Sequence, residues 1–540
     1  MTTCAVDWLS RDQELVEGLD HLGVQVVSAN IYAQLVPGIS NVTDRARYFS
    51  FHPWVLHSFA REAADRSPDG WRRWIRRHEY TYSVAAAAAE REHDPVVAKH
   101  AYGGMIGATK ARAAARGPEV DIDAATRLES GKAVKGHYFK NPQGGYAQYY
   151  KGPLTVLGVL RRDEEHKAPD RQLTTYAGVK LAESVESIQA FRDLRAIAGT
   201  GAKVAVAELA ALGRVVHPGR IDPDGEEARL LRGLLLGDDD DLCAGQPAAI
   251  RRQRRQSLAL ALHYLAHGDL EQTGSAWEFR WCVLASQTHG GRPWHPPAAL
   301  RTSALAWATY AQNELLNYAL ECVLWAALQV LDAEPCPPRE LAARLAAAAC
   351  GALSVPEGDP ADALPEALGD AIDAHRPLAA RPLYAALGKT DTPDAKAGRA
   401  VRLMLQVAAD RGRYAGVTPF STVPHGVEIV QAREIHLEAW WQRADAARDE
   451  RTREFLERLV LDWVLYRHLR VATRKLATQH DYTFRFRPEA GLLVKCSDME
   501  PTFTNPRLYQ GIRMMADVGL VSHDLTHISP SGRALMASFA

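Results

Sequence analysis

Cysteine is scarce in this 540-residue chain, and the seven present stand singly: Cys4, Cys243, Cys282, Cys322, Cys336, Cys350 and Cys496. No CxxC pair occurs. That argues against a cysteine zinc site and against a secreted disulfide framework, so reduced thiols in a cytosolic protein are the simpler reading. Net charge is equally spare: 64 Lys and Arg face 65 Asp and Glu, for a formal charge of -1. A chain so balanced can contact nucleic acid only through local patches. The opening MTTCAVDWLSRDQELVEG lacks a basic stretch followed by an apolar core, which excludes a signal peptide from the reading. The apolar stretch Leu315 to Val330 is interrupted by Asn317 and Glu321, as in a buried helix rather than a membrane span of about 20 residues. A soluble, cytoplasmic protein without membrane contact is expected.

Catalytic signatures are missing too. Gly103-Gly104 and Gly144-Gly145 lack the lysine and hydroxyl spacing of a phosphate-binding loop, and no GxSxG elbow occurs. His263 and His267 lie four apart, on one face of a helix, without an evident third ligand. Asp121, Asp123, Glu129 and Lys132 have the content of a metal-dependent nuclease but not its spacing, and read as a charged linker. No cofactor and no metal are expected, and no catalytic residue is nominated.

What is present is helical periodicity, with 47% apolar and 24% charged residues. That is ordinary globular composition, and the length suggests roughly three or four domains. The expected fold is mainly α, a multi-domain helical protein with two winged-helix-like (α+β) units. The divisions are an N-terminal helical domain over 1–134, a winged-helix-like domain over 135–190, a helical body over 191–475 and a second winged-helix-like domain over 476–540. The body has loops near 217–247 and 353–396, and its longest helices are expected at Ala299 to Leu331 and Glu434 to Leu476. Pro53 is expected to kink or end a helix that Trp54 then resumes.

The two winged-helix-like units rest on a short internal repeat. The first copy runs Leu154-Thr-Val-Leu-Gly158-Val-Leu160, then a charged stretch, then Thr175-Tyr-Ala-Gly178 and Leu181. The second runs Met515-Ala-Asp-Val-Gly519-Leu-Val521, then Thr526-His-Ile and Ser529-Pro-Ser-Gly532 and Leu535. Gly158 and Gly519 are placed to take the left-handed conformation that ends a helix, and Thr175 and Ser529 to cap the next one. The helix before each glycine would then face a groove. In the first copy it offers Tyr146, Gln148, Tyr149, Tyr150 and Lys151, with Arg161, Arg162, Lys167 and Arg171 in the wing. The second offers Arg507, Tyr509, Gln510 and Arg513, with His523 and His527 in its wing; Asp517 and Asp524 would oppose a phosphate. Arginine and lysine suit phosphates, while arginine and glutamine can address base edges. Gln148, Lys151, Arg161, Arg162, Arg507, Gln510 and Arg513 are therefore the nucleic-acid candidates. Winged helices also serve as protein–protein modules, and that alternative stays open.

Other charged segments have plainer readings. WRRWIRRHEY places Arg72, Arg73, Arg76 and Arg77 beside Trp71 and Trp74. Such interleaving can hold single-stranded nucleic acid, but an amphipathic helix with buried tryptophans is favoured. Arg251-Arg-Gln-Arg-Arg255 reads as a solvated face or a contact for an acidic partner, and Asp238 to Asp241 as an acidic loop. Asp44, Arg45 and Arg47, amid Tyr48, Phe49, Phe51 and Trp54, read as paired, structural charges.

Leu35-Val-Pro-Gly-Ile-Ser-Asn-Val-Thr-Asp-Arg-Ala-Arg-Tyr-Phe-Ser-Phe-His-Pro-Trp54 resembles the opening motif of an uncharacterised bacterial family, L-x-P-G followed by T-x-R-A-R-Y-x-x-F-x-P-W. Gly144 to Gly158 is similar to its glycine/tyrosine segment. The resemblance covers about a fifth of the chain. It implies the setting of phage-defence or DNA-modification gene clusters, beside helicases and nucleases, and no activity. The expected function is a non-enzymatic DNA-binding or scaffold subunit of a bacterial phage-defence or DNA-processing complex. Its partners would be other subunits of that complex and double-stranded DNA. The alternatives are an assembly subunit whose winged helices bind only protein, and a nuclease-type enzyme with residues gathered from distant segments.

Overall fold

The computed structural model describes residues 20–90, 104–129, 132–133, 138–161, 172–267, 276–288, 291–352, 366–373, 380–389, 392–414, 417–431, 435–504, 507–525 and 527–539. The protein is mainly helical and multi-domain, and among the described residues the strands pair only in small two-stranded sheets. It divides into two compact units, each assembled from separated stretches of sequence. One comprises residues up to Ile31, Val283–Ala285 and Leu305–Thr504; the other comprises Tyr32–Cys282, Ser286–Ala304 and Asn505–Ala540. The 476–540 stretch is thus shared, with the hairpin Phe486–Glu489/Leu492–Lys495 in the first unit and the helices Leu508–Asp517 and Pro530–Ala537 in the second.

The second unit is built around Tyr48–Glu62 and Pro68–Glu90. Pro53 neither ends nor splits the first of these; one helix runs through it. A proline inside a helix costs about 3 kcal/mol. Phe49, Phe51, Trp54 and Val55 are all fully buried around it, and each contributes roughly 1.5–3 kcal/mol of burial. Burial wins. The aromatic side chains interlock, with Phe51 stacked on Tyr82 at 4.2 Å and Tyr48 on His52 at 5.6 Å between centroids. Ala85 to Ala89 are buried against Val206–Val216, where a Cβ on Gly213 would stand 1.9 Å from the Ala85 carbonyl. The alanine run therefore serves a close helix crossing as well as helix propensity.

In the first unit the 33-residue helix Arg301–Ala333, which enters this unit at Leu305, matches the long helix read from the sequence. By length and composition Ala298–Ala333 could cross a membrane, yet 89% of its most apolar window is buried, as in a core helix. The other expected long helix, Glu434 to Leu476, is interrupted. It forms Leu437–Ala446, Thr452–Leu459, a π-helical turn Val460–Leu465 and Tyr466–Gln479. The break has a partner: Leu368 N donates to Glu450 O, Gly369 N to Arg448 O and Thr452 N to Glu366 O. Apolar periodicity cannot reveal that the backbone leaves the helix to pair with a distant segment.

A polar stripe crosses the interior of this unit. Glu321 accepts from Gln25 Nε2 at 2.7 Å and from Thr502 N at 2.9 Å, and Glu314 accepts from Thr504 N at 2.6 Å. Asn313 and Asn317 donate to Ser28 Oγ. Burial pushes the Glu321 carboxyl up to about 8.

Candidate nucleic-acid interface

Both copies of the repeat fold alike, almost bond for bond. Lys151–Val156 and Leu508–Asp517 each end one residue before a glycine-terminated turn, with Gly158 at φ +69 and Gly519 at φ +79. After the glycine the chain returns to the helix: Val159 N donates to Leu154 O at 2.9 Å, and Leu520 N to Met515 O at 2.8 Å. One antiparallel bridge closes each hairpin, Leu160 with Leu173 and Val521 with Ile528. A hydroxyl then reaches back to the glycine carbonyl, Thr174 Oγ1 to Gly158 O at 2.8 Å and Ser529 Oγ to Gly519 O at 2.7 Å. Gly178 and Gly532 are required by close approach. A Cβ there would meet Val159 O at 2.6 Å and Leu520 O at 2.2 Å.

Thr174, and not Thr175, is the cap of the first copy. It accepts from Gly178 N at 3.1 Å, across four residues, because the closing helix starts with a π-helical turn at Thr175–Val179. Ser529 accepts from Gly532 N across three, as read from the sequence. Gly158 to Gly178 spans 20 positions and Gly519 to Gly532 spans 13; six of these seven extra positions fall between the glycine and the cap, and the seventh is the π-turn.

The copies differ in what they present. In the first, Gln148 is exposed, its Nε2 donating to Tyr149 Oη at 3.0 Å; Lys151 is half-buried and Arg161 exposed. Tyr146 and Tyr150 do not face outward: both are fully buried, packed on His52 at 5.6 and 4.9 Å. Arg162, Lys167 and Arg171 lie outside the described residues.

The second copy faces inward, and this corrects the expectation for its helix. Gln510 and Arg513 are buried. Gln510 Nε2 donates to Asn41 O at 3.2 Å, and Arg513 pairs with Asp44 at 3.4 Å. Arg507 donates to Ile39 O at 3.1 Å and lies 4.5 Å from the Tyr32 ring centroid. These side chains hold the Ile39–Asp44 segment, so they cannot also enter a groove. Asp517 is bonded to Arg45 at 2.7 Å and accepts from Ala46 N at 2.9 Å. His523 and His527 are exposed; Thr526 lies outside the described residues.

The paired, structural reading of Asp44, Arg45 and Arg47 matches their placement. Arg47 binds Glu227 at 2.7 Å and donates to Val215 O and His217 O, both at 2.9 Å. His52 meets Glu79 at 3.0 Å, and Glu79 also accepts from Gly145 N at 2.8 Å and Tyr146 N at 2.7 Å. Glu227 anchors Arg47 and Glu79 anchors His52, yet no sequence signal marks either carboxylate.

Several residues of the other charged segments are committed internally. Trp71 is buried and donates to Gln143, and one face of Trp74 is stacked on His78 at 4.4 Å. Arg76 is buried and caps carbonyls of Thr126, Phe139 and Asn141. Arg73, Arg77 and Arg127 line a cleft of about 590 Å³ together with Asp69, Asp121 and Asp123. Of the basic run, Arg251 pairs with Asp240 at 2.6 Å in the acidic loop. Arg254 is fully buried and serves the end of Glu226–Leu236, donating to Leu234 O, Leu235 O, Pro37 O and Gln246. Burial lowers it to about 10. His267 Nδ1 is bonded to the His263 carbonyl at 2.8 Å, and the two rings stack at 4.1 Å.

The helix ends before the two glycines are capped in parallel. Gln246 donates to Leu157 O at 2.8 Å and Arg232 to Val518 O at 3.3 Å. Beside the first hairpin lies a cavity of about 460 Å³, lined by Thr155, Gly158, Leu160, Arg161, Thr174, Thr175, Tyr176 and Gly245.

What this geometry defines is a mainly α protein carrying two like helix–hairpin–helix elements, one presenting its leading helix and one burying it. Comparison with family models, curated proteins and solved structures finds no match for this chain.

Proposed function

We propose that the chain is a non-enzymatic, cytoplasmic subunit of a bacterial phage-defence or DNA-processing complex, and that its first repeat copy acts as a winged helix on duplex DNA. The observation that carries the reading is the contrast between the copies. Gln148 and Arg161 are exposed and Lys151 is half-buried, whereas Gln510 and Arg513 are buried against the chain itself. Lysine and arginine on an outward helix and its hairpin supply phosphate contacts, and Gln148 supplies a side chain that can address a base edge. The opening motif supplies the setting, and its charges hold the second copy in place.

An electrophoretic titration of the full chain against a 5′-hydroxyl duplex, repeated over a range of salt, tests this. Binding should weaken steeply with salt, and Lys151→Gln with Arg161→Gln should reduce the slope by about two if both touch phosphate. Absence of salt-sensitive binding would refute the DNA contact. It would favour the second reading, a subunit whose winged helices bind only protein. The inward-facing second copy already uses its helix for a protein contact, within its own chain.

A further inference from the structure

The surroundings of the two glycines differ among the described residues. In the second copy Pro223 closes on the hairpin, with its Cβ 2.7 Å from where a Gly519 Cβ would stand. In the first copy the nearest groups to Gly158 are Gly245 and Gln246, and a glycine leaves room where a proline fills it. The side chains differ in the same sense. Thr155, Arg161, Thr175 and Tyr176 stand where the second copy has Ala516, Ser522, Pro530 and Ser531.

The donors are unspent. Among the described residues the Arg161 side chain has no hydrogen-bond or ion-pair partner, and neither do the hydroxyls of Thr175 and Tyr176. The Tyr176 hydroxyl is seated over Gly245, where an added Cβ would stand 1.9 Å from Tyr176 Oη. Among the described residues that line the cavity beside the first hairpin there is no carboxylate, whereas three line the cleft beside Arg73. A guanidinium with hydroxyls and no carboxylate favours an oxyanion, and a planar guanidinium suits the paired oxygens of phosphate.

We infer that the cavity formed by Arg161, Thr175, Tyr176 and Gly245 binds a terminal phosphate monoester. Three terminal oxygens match the guanidinium and two hydroxyls, and the volume also admits the sugar that carries the phosphate. As a strand-end pocket, this rests on the reading of the first copy as the DNA-facing one.

The test compares a 5′-phosphorylated duplex with the same duplex ending in a 5′-hydroxyl, using the full chain and fluorescence anisotropy at fixed salt. A nucleoside 5′-monophosphate is titrated separately, followed by ³¹P line broadening. The phosphorylated duplex should bind about tenfold more tightly, the scale of a charge-assisted hydrogen bond. Arg161→Gln and Tyr176→Phe should each shrink that difference, and Gly245→Ala should do so by displacing the Tyr176 hydroxyl. Arg127→Gln, in the other cleft, should leave it intact. Equal affinity for the two duplexes, with no broadening by the monophosphate, overturns the inference while leaving the DNA-binding reading standing. Broadening that Arg161→Gln abolishes, without binding of either duplex, supports the cavity and refutes duplex binding.

Discussion

Glu321→Gln should make the protein more stable, and increasingly so as pH rises. The Glu321 carboxylate is buried, accepts from Gln25 and Thr502, and has no cationic partner in those bonds. Burial raises it from 4.5 to about 8. A carboxyl raised in the folded state binds its proton more tightly there than in the unfolded chain. Its contribution is therefore fully present below pH 4.5 and is lost as pH rises through about 8. At roughly 1.4 kcal/mol per pH unit, the group costs about 3 kcal/mol of stability at pH 7 and about 5 above pH 9, relative to its protonated form. Glutamine keeps the shape without the titration. Its oxygen can accept from Thr502 N and its amide can donate to Gln25 once that side chain turns its oxygen inward. Urea unfolding of both proteins at pH 6, 7.5 and 9, followed by tryptophan fluorescence, gives the difference directly. The stability gap should widen by several kcal/mol across that range. A gap that stays flat would show that Glu321 carries the same charge throughout, and would refute the argument.

The same geometry makes other changes costly. Gly213→Ala places a methyl 1.9 Å from the Ala85 carbonyl, so it should lower stability by at least about 1–3 kcal/mol. Gly199→Ala, with open space around its Cβ, should instead raise it by up to about 1 kcal/mol, and denaturant midpoints distinguish the two. Arg47→Ala strands Glu227 in the interior and should cost about 3–5 kcal/mol in equilibrium unfolding. Burial lowers His468 to about 4 and His21 to about 3, with Arg485 and Lys475 opposing a further charge on both. Because those folded values lie below the ordinary 6.5, stability from these groups is complete above pH 6.5 and declines as pH falls toward 4. Replacing His468 with glutamine should flatten the acid limb of a stability–pH curve, and an unchanged limb would contradict this.

Much of the fold was legible because it rests on local signals. Helical class, the Arg301–Ala333 helix, the two left-handed glycines and the Ser529 cap all follow from periodicity or from single residues with a conformational reason to be where they are. The shift of the cap from Thr175 to Thr174 turns on one π-helical residue, which no pattern of side-chain types marks. The break at Ala447–Arg451 depends on pairing with Glu366–Gly369, a long-range event. The same limit governed the candidate site. Arg507, Gln510 and Arg513 have the chemistry of a groove reader, and only the docking of the Ile39–Asp44 segment over them decides otherwise. Gln148, Lys151 and Arg161 carry no stronger signal in sequence; Gln148 and Arg161 are exposed and Lys151 half-buried, whereas Gln510 and Arg513 are buried.

Hydrogen exchange of the full chain with and without duplex DNA tests the central claim most directly, since it reports both copies at once. The account predicts new protection over Tyr146–Arg161 on DNA addition. Leu508–Asp517, already buried, should be protected before DNA is added and should not change. Protection gained at Leu508–Asp517 with none at Tyr146–Arg161 would contradict it.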